Sequence, residues 1–215
     1  MQEYKKRRNN VIVGYLIIFA SITLLSYNYL CKKKDKVFDE MNMQVYALSS
    51  PVLELPKEEE EVIEEGEVIE NEPEKQEEKK DDYYIGILEI PKINLKRGFV
   101  NPDSPENDVS KNIEIVDTSD MPDKHHGNFI LAAHSGNAHV SFFNKLYLLN
   151  EGDYAYVTYQ GVKYVYQINK IYLQNKTGQI GIYRDLNKTT LTLVTCTKDD
   201  SLHQTIYIAE LVSKN

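Results

Sequence analysis

A glutamate-rich segment from Lys57 to Asp82 divides this chain of 215 residues into two parts. It reads KEEEEVIEEGEVIENEPEKQEEKKDD and contains no aromatic residue. Such a segment buries too little apolar area to offset the conformational entropy that it would lose on folding. We therefore expect a disordered charged spacer, extended by the repulsion of like charges. A transient or partner-bound helix is the alternative, because glutamate and lysine are good helix formers.

The N-terminal part carries an apolar run, Val11–Leu30, between two basic clusters. A helix of about 20 residues is long enough to span a bilayer core of about 30 Å. The bulky residues before Cys31 offer neither a signal-peptide cleavage site nor a lipid-modification site, so we expect an uncleaved anchor. The predicted segments are a cytoplasmic basic tail (1–10), a transmembrane anchor (11–31), an acidic charged linker (32–82) and a folded domain (83–215).

Short strand patterns follow one another closely in the folded domain, and long helical periods are scarce. The stretch YIGILEI stops at Pro91, and the pair Gln160-Gly161 predicts a hairpin turn in a tyrosine-rich stretch. The stretch HVSFFNKLYLL predicts a short helix. Together these patterns predict a mainly β domain, a barrel or a sandwich, with one or two short helices.

Composition argues against several classes of function. The formal net charge is −8 and no basic stripe covers the folded part, so we expect no nucleic-acid partner. Two cysteines without CxxC spacing do not make a disulfide framework, and five histidines without paired cysteines give no zinc pattern. We expect no metal and no cofactor; for the stretch Asn101–Asp108 we favour an ordinary polar loop, with a weak calcium site as the alternative.

Two residues of the folded domain are candidates for chemistry. Cys196 ends the strand pattern TLTLVTC and is followed by the polar run TKDD, whereas His134 ends the run FILAA. A cysteine paired with a histidine that is distant in sequence is the arrangement for nucleophilic acyl transfer. The alternatives are a buried structural thiol and a solvated surface histidine, and the residues alone leave both open.

Four stretches, in this order, resemble those of sortases, the membrane-anchored cysteine transpeptidases of Gram-positive bacteria. They span most of the folded domain, although the sortase class is not indicated. The stretches are YIGILEIPKINL (Tyr84 to Leu95), GNFILAAHS (Gly127 to Ser135), FFNKLYLLNEGDYAYV (Phe142 to Val157) and TLVTC (Thr192 to Cys196).

The resemblance implies an eight-stranded β-barrel in which Cys196 is the nucleophile and His134 the general acid/base. It also implies a single-pass membrane protein with its N-terminus inside the cell and its domain outside. The implied substrates are surface proteins with an LPxTG-like sorting motif, held as a thioester on the cysteine. The implied acceptor is an amine of a peptidoglycan cross-bridge or a pilin lysine.

One part of the sortase pattern is missing, because no arginine follows Cys196. Gln204 stands nearest to the expected arginine, and Arg184, before the cysteine, is the other candidate to stabilise the oxyanion or the substrate. Lys198 is a poorer candidate, because it lacks the planar guanidinium fork. The resemblance further implies that Thr195 binds the motif or orients the strand end.

The missing arginine also supports a rival hypothesis, a catalytically impaired sortase-like module that binds surface proteins. A second rival is a thiol hydrolase that releases its acyl group to water. Hydrolysis and transfer share the thioester step, so the sequence does not separate them.

Overall fold

A computed structural model describes residues 2–49 and 83–215 of the chain. It contains two compact units, Met1–Met41 and Asn42–Asn215. One long helix, α1 (Gln2–Ser49), makes up the first unit and continues into the start of the second.

Helix α1 exposes many apolar side chains, among them Phe19 and Leu25, which are 71% and 70% exposed. Within the described part of the chain, no helix combines the length and the apolar character needed to cross a membrane. The anchor at 11–31 therefore stays a prediction. The helix continues beyond residue 31 to Ser49, so the predicted linker begins as helix, and its remainder lies outside the described residues.

Eight strands form one sheet in the order β2-β1-β5-β6-β8-β7-β4-β3, and the end strands β2 and β3 approach each other to give a nearly closed barrel. The prediction of a mainly β barrel is confirmed. The strands are β1 (Tyr84–Ile90), β2 (Leu95–Val100), β3 (Glu114–Ile115), β4 (Asn128–Ala132), β5 (Tyr154–Tyr159), β6 (Val162–Asn175), β7 (Thr190–Cys196) and β8 (His203–Lys214).

Two short 3₁₀ helices, Pro91–Ile93 and Leu146–Leu148, interrupt the strands. A short helix was predicted for the stretch HVSFFNKLYLL, and the structure forms only the 3₁₀ helix Leu146–Leu148 there. The predicted hairpin turn is present between β5 and β6. Gln160 and Gly161 both adopt positive φ there, of 48° and 78°, as a two-residue turn requires.

The barrel interior is a single apolar core. Inward-facing side chains alternate along the strands, as in β7, where Leu191 and Leu193 point into the core. The rings of Phe99 and Phe129 pack at 5.2 Å between centroids. The hydroxyl of Tyr166 is buried in this core without a hydrogen-bond partner among the described residues, and this burial raises the pKa of Tyr166.

A second apolar cluster covers part of the outside of the sheet. Outward-facing residues of β4, β7 and β8 are buried there, and Ile182 of the β6–β7 connection packs against them together with Tyr172. Both faces of β7 are therefore covered, which explains why its residues show no polar alternation. The buried members of this outer cluster are Ile130, Val194, Ile206 and Ile208.

The last turns of α1 pack on the start of β1 and the end of β2. Tyr46 is buried with Tyr84 and Val100, and its hydroxyl donates to the Thr158 carbonyl at 3.3 Å. Asn42 is 1% exposed. These contacts lie at the end of the barrel where β5 finishes.

Replacing Tyr166 by phenylalanine should stabilise the barrel by about 1 kcal/mol, because the change removes a buried hydroxyl that lacks a partner. Chemical denaturation measures this difference. The control is Tyr159→Phe, which removes a hydroxyl that accepts from the Gln160 side chain and should give no gain. A loss of stability in Tyr166→Phe would contradict the described environment of the hydroxyl.

Candidate active site

The parallel pairing of β4 with β7 brings His134 and Cys196 together. Ala132 lies opposite Val194, and the Ala133 amide donates to the Val194 carbonyl at 3.3 Å. His134 comes two residues after Ala132, and Cys196 comes two residues after Val194. The two residues therefore lie side by side at the same height along the two parallel strands. Cys196 points outward with Val194, and the alternation of β4, continued two residues past its end at Ala132, places His134 on the same face.

A buried hydrogen bond fixes this alignment. The Thr195 hydroxyl donates to the Ala133 carbonyl at 2.8 Å, and the Thr195 side chain is 6% exposed. The bond joins the residue before the histidine to the residue before the cysteine. The structure therefore places the Thr195 hydroxyl on the inner face, opposite to the face that carries Cys196. The role of Thr195 in binding the motif stays a prediction, whereas the bond to Ala133 fits the alternative that Thr195 orients the strand end.

Two rows of outward-facing residues cross β6, β8, β7 and β4 at this end of the sheet. Residues directly opposite one another in neighbouring antiparallel strands point to the same side. The lower row is apolar and consists of Tyr172, Ile206, Val194 and Ala132. The upper row is polar and consists of Gln174, Gln204, Cys196 and, by continuation of β4, His134.

The two candidate side chains are accessible. His134 is exposed and Cys196 is half-buried. The His134 carbonyl accepts from the Phe143 amide at 3.0 Å, which holds the loop after β4. The pKa of the Asp108 carboxyl lies below its ordinary value, mainly because Ser110 donates to it, and nearby His134 contributes. An accessible thiol beside an imidazole is suited to nucleophilic attack on a carbonyl.

An open cavity of about 650 Å³ adjoins the two reactive residues. The loop that follows His134 and the loop that follows Cys196 form its walls, together with the segment around Tyr147. Lys198 lines this cavity and lies over the Tyr147 ring, with Nζ 3.9 Å from the centroid. The walls also carry the carboxylates of Asp199 and Asp200.

Arg184 is not brought to this site. Its guanidinium donates to the carbonyls of His126 and Lys188, at 3.1 and 3.0 Å, near the beginnings of β4 and β7. The seven residues of β7, at about 3.3 Å each, place this position about 20 Å from Cys196. The role predicted for Arg184 stays a prediction, and in this structure the side chain binds loop carbonyls at the other end of the strand.

Gln204 lies directly across from Cys196 and on the same face. Its neighbour His203 points to the other face, and His203 Nδ1 is paired with Asp200 Oδ2 at 2.6 Å. This contact, after a hydrogen bond from the Leu202 amide, keeps the pKa of Asp200 below its ordinary value. Of the two residues predicted for the third role, the structure therefore brings only Gln204 to the thiol.

Sequence reasoning missed Gln174, which completes the polar row. Its place depends on the register of β6 against β8, which contains two irregularities and has no signal in the sequence. In the described ranges 2–49 and 83–215, no group of three or more histidine, cysteine, aspartate and glutamate side chains is arranged to hold a metal ion.

Comparison with known proteins agrees with this geometry. The family model described as Sortase domain matches residues 88–212. Among curated proteins, none matches the chain significantly.

Several solved structures are similar to the chain. The sortase D5 transpeptidase of Clostridium perfringens is 25% identical, with a TM-score of 0.52 over 61% of this chain and 80% of that one. Sortase C1 of Streptococcus agalactiae is 27% identical, with a TM-score of 0.52 over 60% and 68% of the two chains. Sortase A of Listeria monocytogenes, at 18% identity and a TM-score of 0.53 over 62% and 90%, shares the fold.

Thr195→Val should lower stability by about 1 to 3 kcal/mol, because the buried Ala133 carbonyl loses its donor. It should also slow alkylation of Cys196 by iodoacetamide at neutral pH, because the strand ends are no longer held level. Denaturation and the alkylation rate are the measurements. Thr192→Val is the control, since it removes a buried bond to Asn128 lower on the same strand, on the opposite face. Equal alkylation changes in both variants would contradict the alignment role.

Proposed function

The chain belongs to the sortase family, whose model matches more than half of its 215 residues, and we propose that it is a cysteine transpeptidase. The observation that carries the proposal is the level placement of His134 and Cys196 on one face of neighbouring parallel strands. Two groups so arranged share one substrate carbonyl, whereas a structural cysteine needs no such partner.

The reaction uses each of the two residues twice. The Cys196 thiolate attacks the substrate carbonyl carbon, and the C–N bond breaks as His134 gives its proton to the leaving amine. The acyl group is then held as a thioester. An incoming amine attacks it, passes its proton to His134 and expels the thiolate, which restores the starting state.

Gln204 takes the part of the missing arginine in this proposal. Its position across from Cys196, on the same face, lets its amide donate to the oxyanion that forms in each step. A neutral amide gives a weaker hydrogen bond than a guanidinium does, so transfer should be slower than in an arginine-bearing enzyme.

The substrates we propose are surface proteins with an LPxTG-like sorting motif. In this proposal the apolar part of an extended peptide packs on the apolar row below the polar row, where it takes the place of Ile182 over the buried Val194 and Ile206. The acceptor is an amine, from a peptidoglycan cross-bridge or a pilin lysine. Asp199, which lines the cavity, is suited to an approaching ammonium group, whereas the Asp200 carboxylate is already paired with His203.

The place of action that we propose is the outer face of the cell membrane of a Gram-positive bacterium, with the chain held by its N-terminal segment. The apolar run Val11–Leu30 and the exposed apolar side chains of α1 support an association with lipid. A folded domain of this kind needs no cofactor for thioester chemistry.

Because β8 contains no arginine, a binding module without catalytic activity is a second candidate function. A sortase relative that has lost activity would retain the apolar row and would bind surface proteins without cleaving them. The exposed His134 and the half-buried thiol favour the enzyme, because a binding module has no need of an accessible nucleophile.

Incubating the full-length chain with LPxTG-like peptides should give an acyl adduct on Cys196, detected by mass spectrometry. Cys196→Ala should abolish the adduct and His134→Ala should lower its rate by at least about 100-fold. An added amine should attack the thioester and take over the acyl group as an amide. Acyl release to water despite the amine would identify a hydrolase. A folded, alkylatable protein that forms no adduct with any peptide would favour the binding module.

Gln204→Ala should slow acylation by about 100-fold, as the loss of one oxyanion donor does in other acyl-transfer enzymes. Arg184→Ala should leave the rate unchanged, because its guanidinium binds the carbonyls of His126 and Lys188 at the far end of β7. Single-turnover kinetics with a saturating peptide compare the two variants. The reverse ranking would overturn the assignment of Gln204.

A further inference from the structure

A lysine amine of the chain itself lines the cavity beside the nucleophile. In the proposed function an external amine resolves the thioester, so an internal amine that reached the thioester would compete with it. Lys198 follows Cys196 by two residues and forms part of the cavity wall. Two residues of extended chain span about 7 Å, a distance that the long flexible stem of a lysine covers.

The side chains of Cys196 and Lys198 lie on the same side of the chain. The amide of Thr197, between them, still donates to the first carbonyl of β8 at 3.1 Å, so the pairing with β8 continues past the end of β7. The hydroxyl oxygens of Thr197 and Thr205 are 2.9 Å apart, and Thr205 lies opposite Thr195 on the inner face. Because side chains alternate along an extended chain, the two residues that flank Thr197 lie on the outer side, where the thioester forms.

An aromatic ring holds the ammonium group of Lys198. Its Nζ lies 3.9 Å from the centroid of the Tyr147 ring, in the range of a cation–π contact. The carboxylates of Asp199 and Asp200 line the same cavity, yet among the described residues Lys198 makes no ion pair with either. The contact therefore joins two walls of the cavity through the ring alone.

Tyr147 presents its ring from an anchored backbone. It is the middle residue of the 3₁₀ helix Leu146–Leu148, and both Leu146 and Leu149 are buried in the barrel core. The Leu149 amide donates to the Leu146 carbonyl at 2.9 Å, which closes this turn. Tyr147 itself is 50% exposed, so the ring faces the cavity while its neighbours fix its position.

A cation held on a ring is not a nucleophile. The ring face attracts the ammonium, whereas only the neutral amine has the lone pair that attacks a carbonyl. For Lys198 to react, its ammonium would first lose a proton to water. Its nitrogen would then bond to the acyl carbon as the C–S bond breaks, and a second proton would pass from nitrogen to His134 as the Cys196 thiolate leaves. The product would be an amide on Lys198, in place of an acyl group transferred to an external acceptor.

We infer that Tyr147 is a specificity-determining residue for the acceptor: its ring retains the Lys198 ammonium, so that an external amine resolves the thioester in place of Lys198. The inference rests on the proposed function, in which the thioester forms on Cys196. Without the ring, the enzyme acylates itself more often and leaves an acyl chain in its own acceptor cavity.

The test measures self-acylation of the full-length chain with an LPxTG-like peptide and no added amine. Hydroxylamine removes the thioester from Cys196 but leaves an amide on Lys198, which mass spectrometry of proteolytic fragments locates. Tyr147→Leu should raise the rate of amide formation by about 2- to 5-fold, the equivalent of an exposed cation–π contact. Tyr147→Phe keeps the ring and should behave like the natural chain. Tyr147→Leu combined with Lys198→Arg should form no amide at position 198.

A second arm does not depend on the reaction with the peptide. A small acyl thioester in excess acylates Cys196 by thiol exchange, and the transfer to Lys198 is then followed alone. Cys196→Ala in the Tyr147→Leu chain measures direct acylation of Lys198, which is subtracted. Faster transfer in Tyr147→Leu in this arm, with no adduct from any peptide, would reject the proposed function and keep the role of Tyr147. Equal or slower transfer, or an amide on Lys145 of the same cavity instead, would overturn that role while the thioester stands.

Discussion

The parallel contact between β4 and β7 is the constraint on which the site depends. It joins two strand ends that are distant in sequence, and the Thr195 hydroxyl, bound to the Ala133 carbonyl, prevents them from sliding. A slip of one residue would turn one of the two reactive side chains to the inner face, because the side-chain period of a strand is two. Thr195 therefore keeps the ends of β4 and β7 aligned. Without this alignment, His134 and Cys196 would be separated.

Burial of both faces of β7 is the second feature that holds Cys196 in place. Leu193 faces the core and Val194 faces the outer cluster, so the strand is held on both sides up to its last residue. Only Cys196, at the end, is partly open to solvent. A rigid strand whose last residue is partly open exposes the thiol without local unfolding.

The sequence predicted much of this domain because its signals are local. The mainly β fold, the turn at Gln160-Gly161 and the strand that ends at Cys196 each follow from short runs of residues. Arg184 shows the limit of such reasoning, since it precedes β7 and the strand carries the chain away from it. The place of Gln174 was equally unreadable, because it follows from an irregular register between β6 and β8. Helix α1 continues through the charged run Lys32–Lys36 to Ser49. Charged residues alone do not end a helix, because the backbone hydrogen bonds of the helix can still form.

Tyr46 packs against Tyr84, and this contact joins the two ends of the segment that contains the acidic residues. A chain segment whose two ends meet at one edge of a barrel is closed into a loop by that contact. Doubling such a loop costs only about 0.6 kcal/mol of closure entropy. Length variation between these two residues is therefore nearly neutral for the stability of the barrel domain.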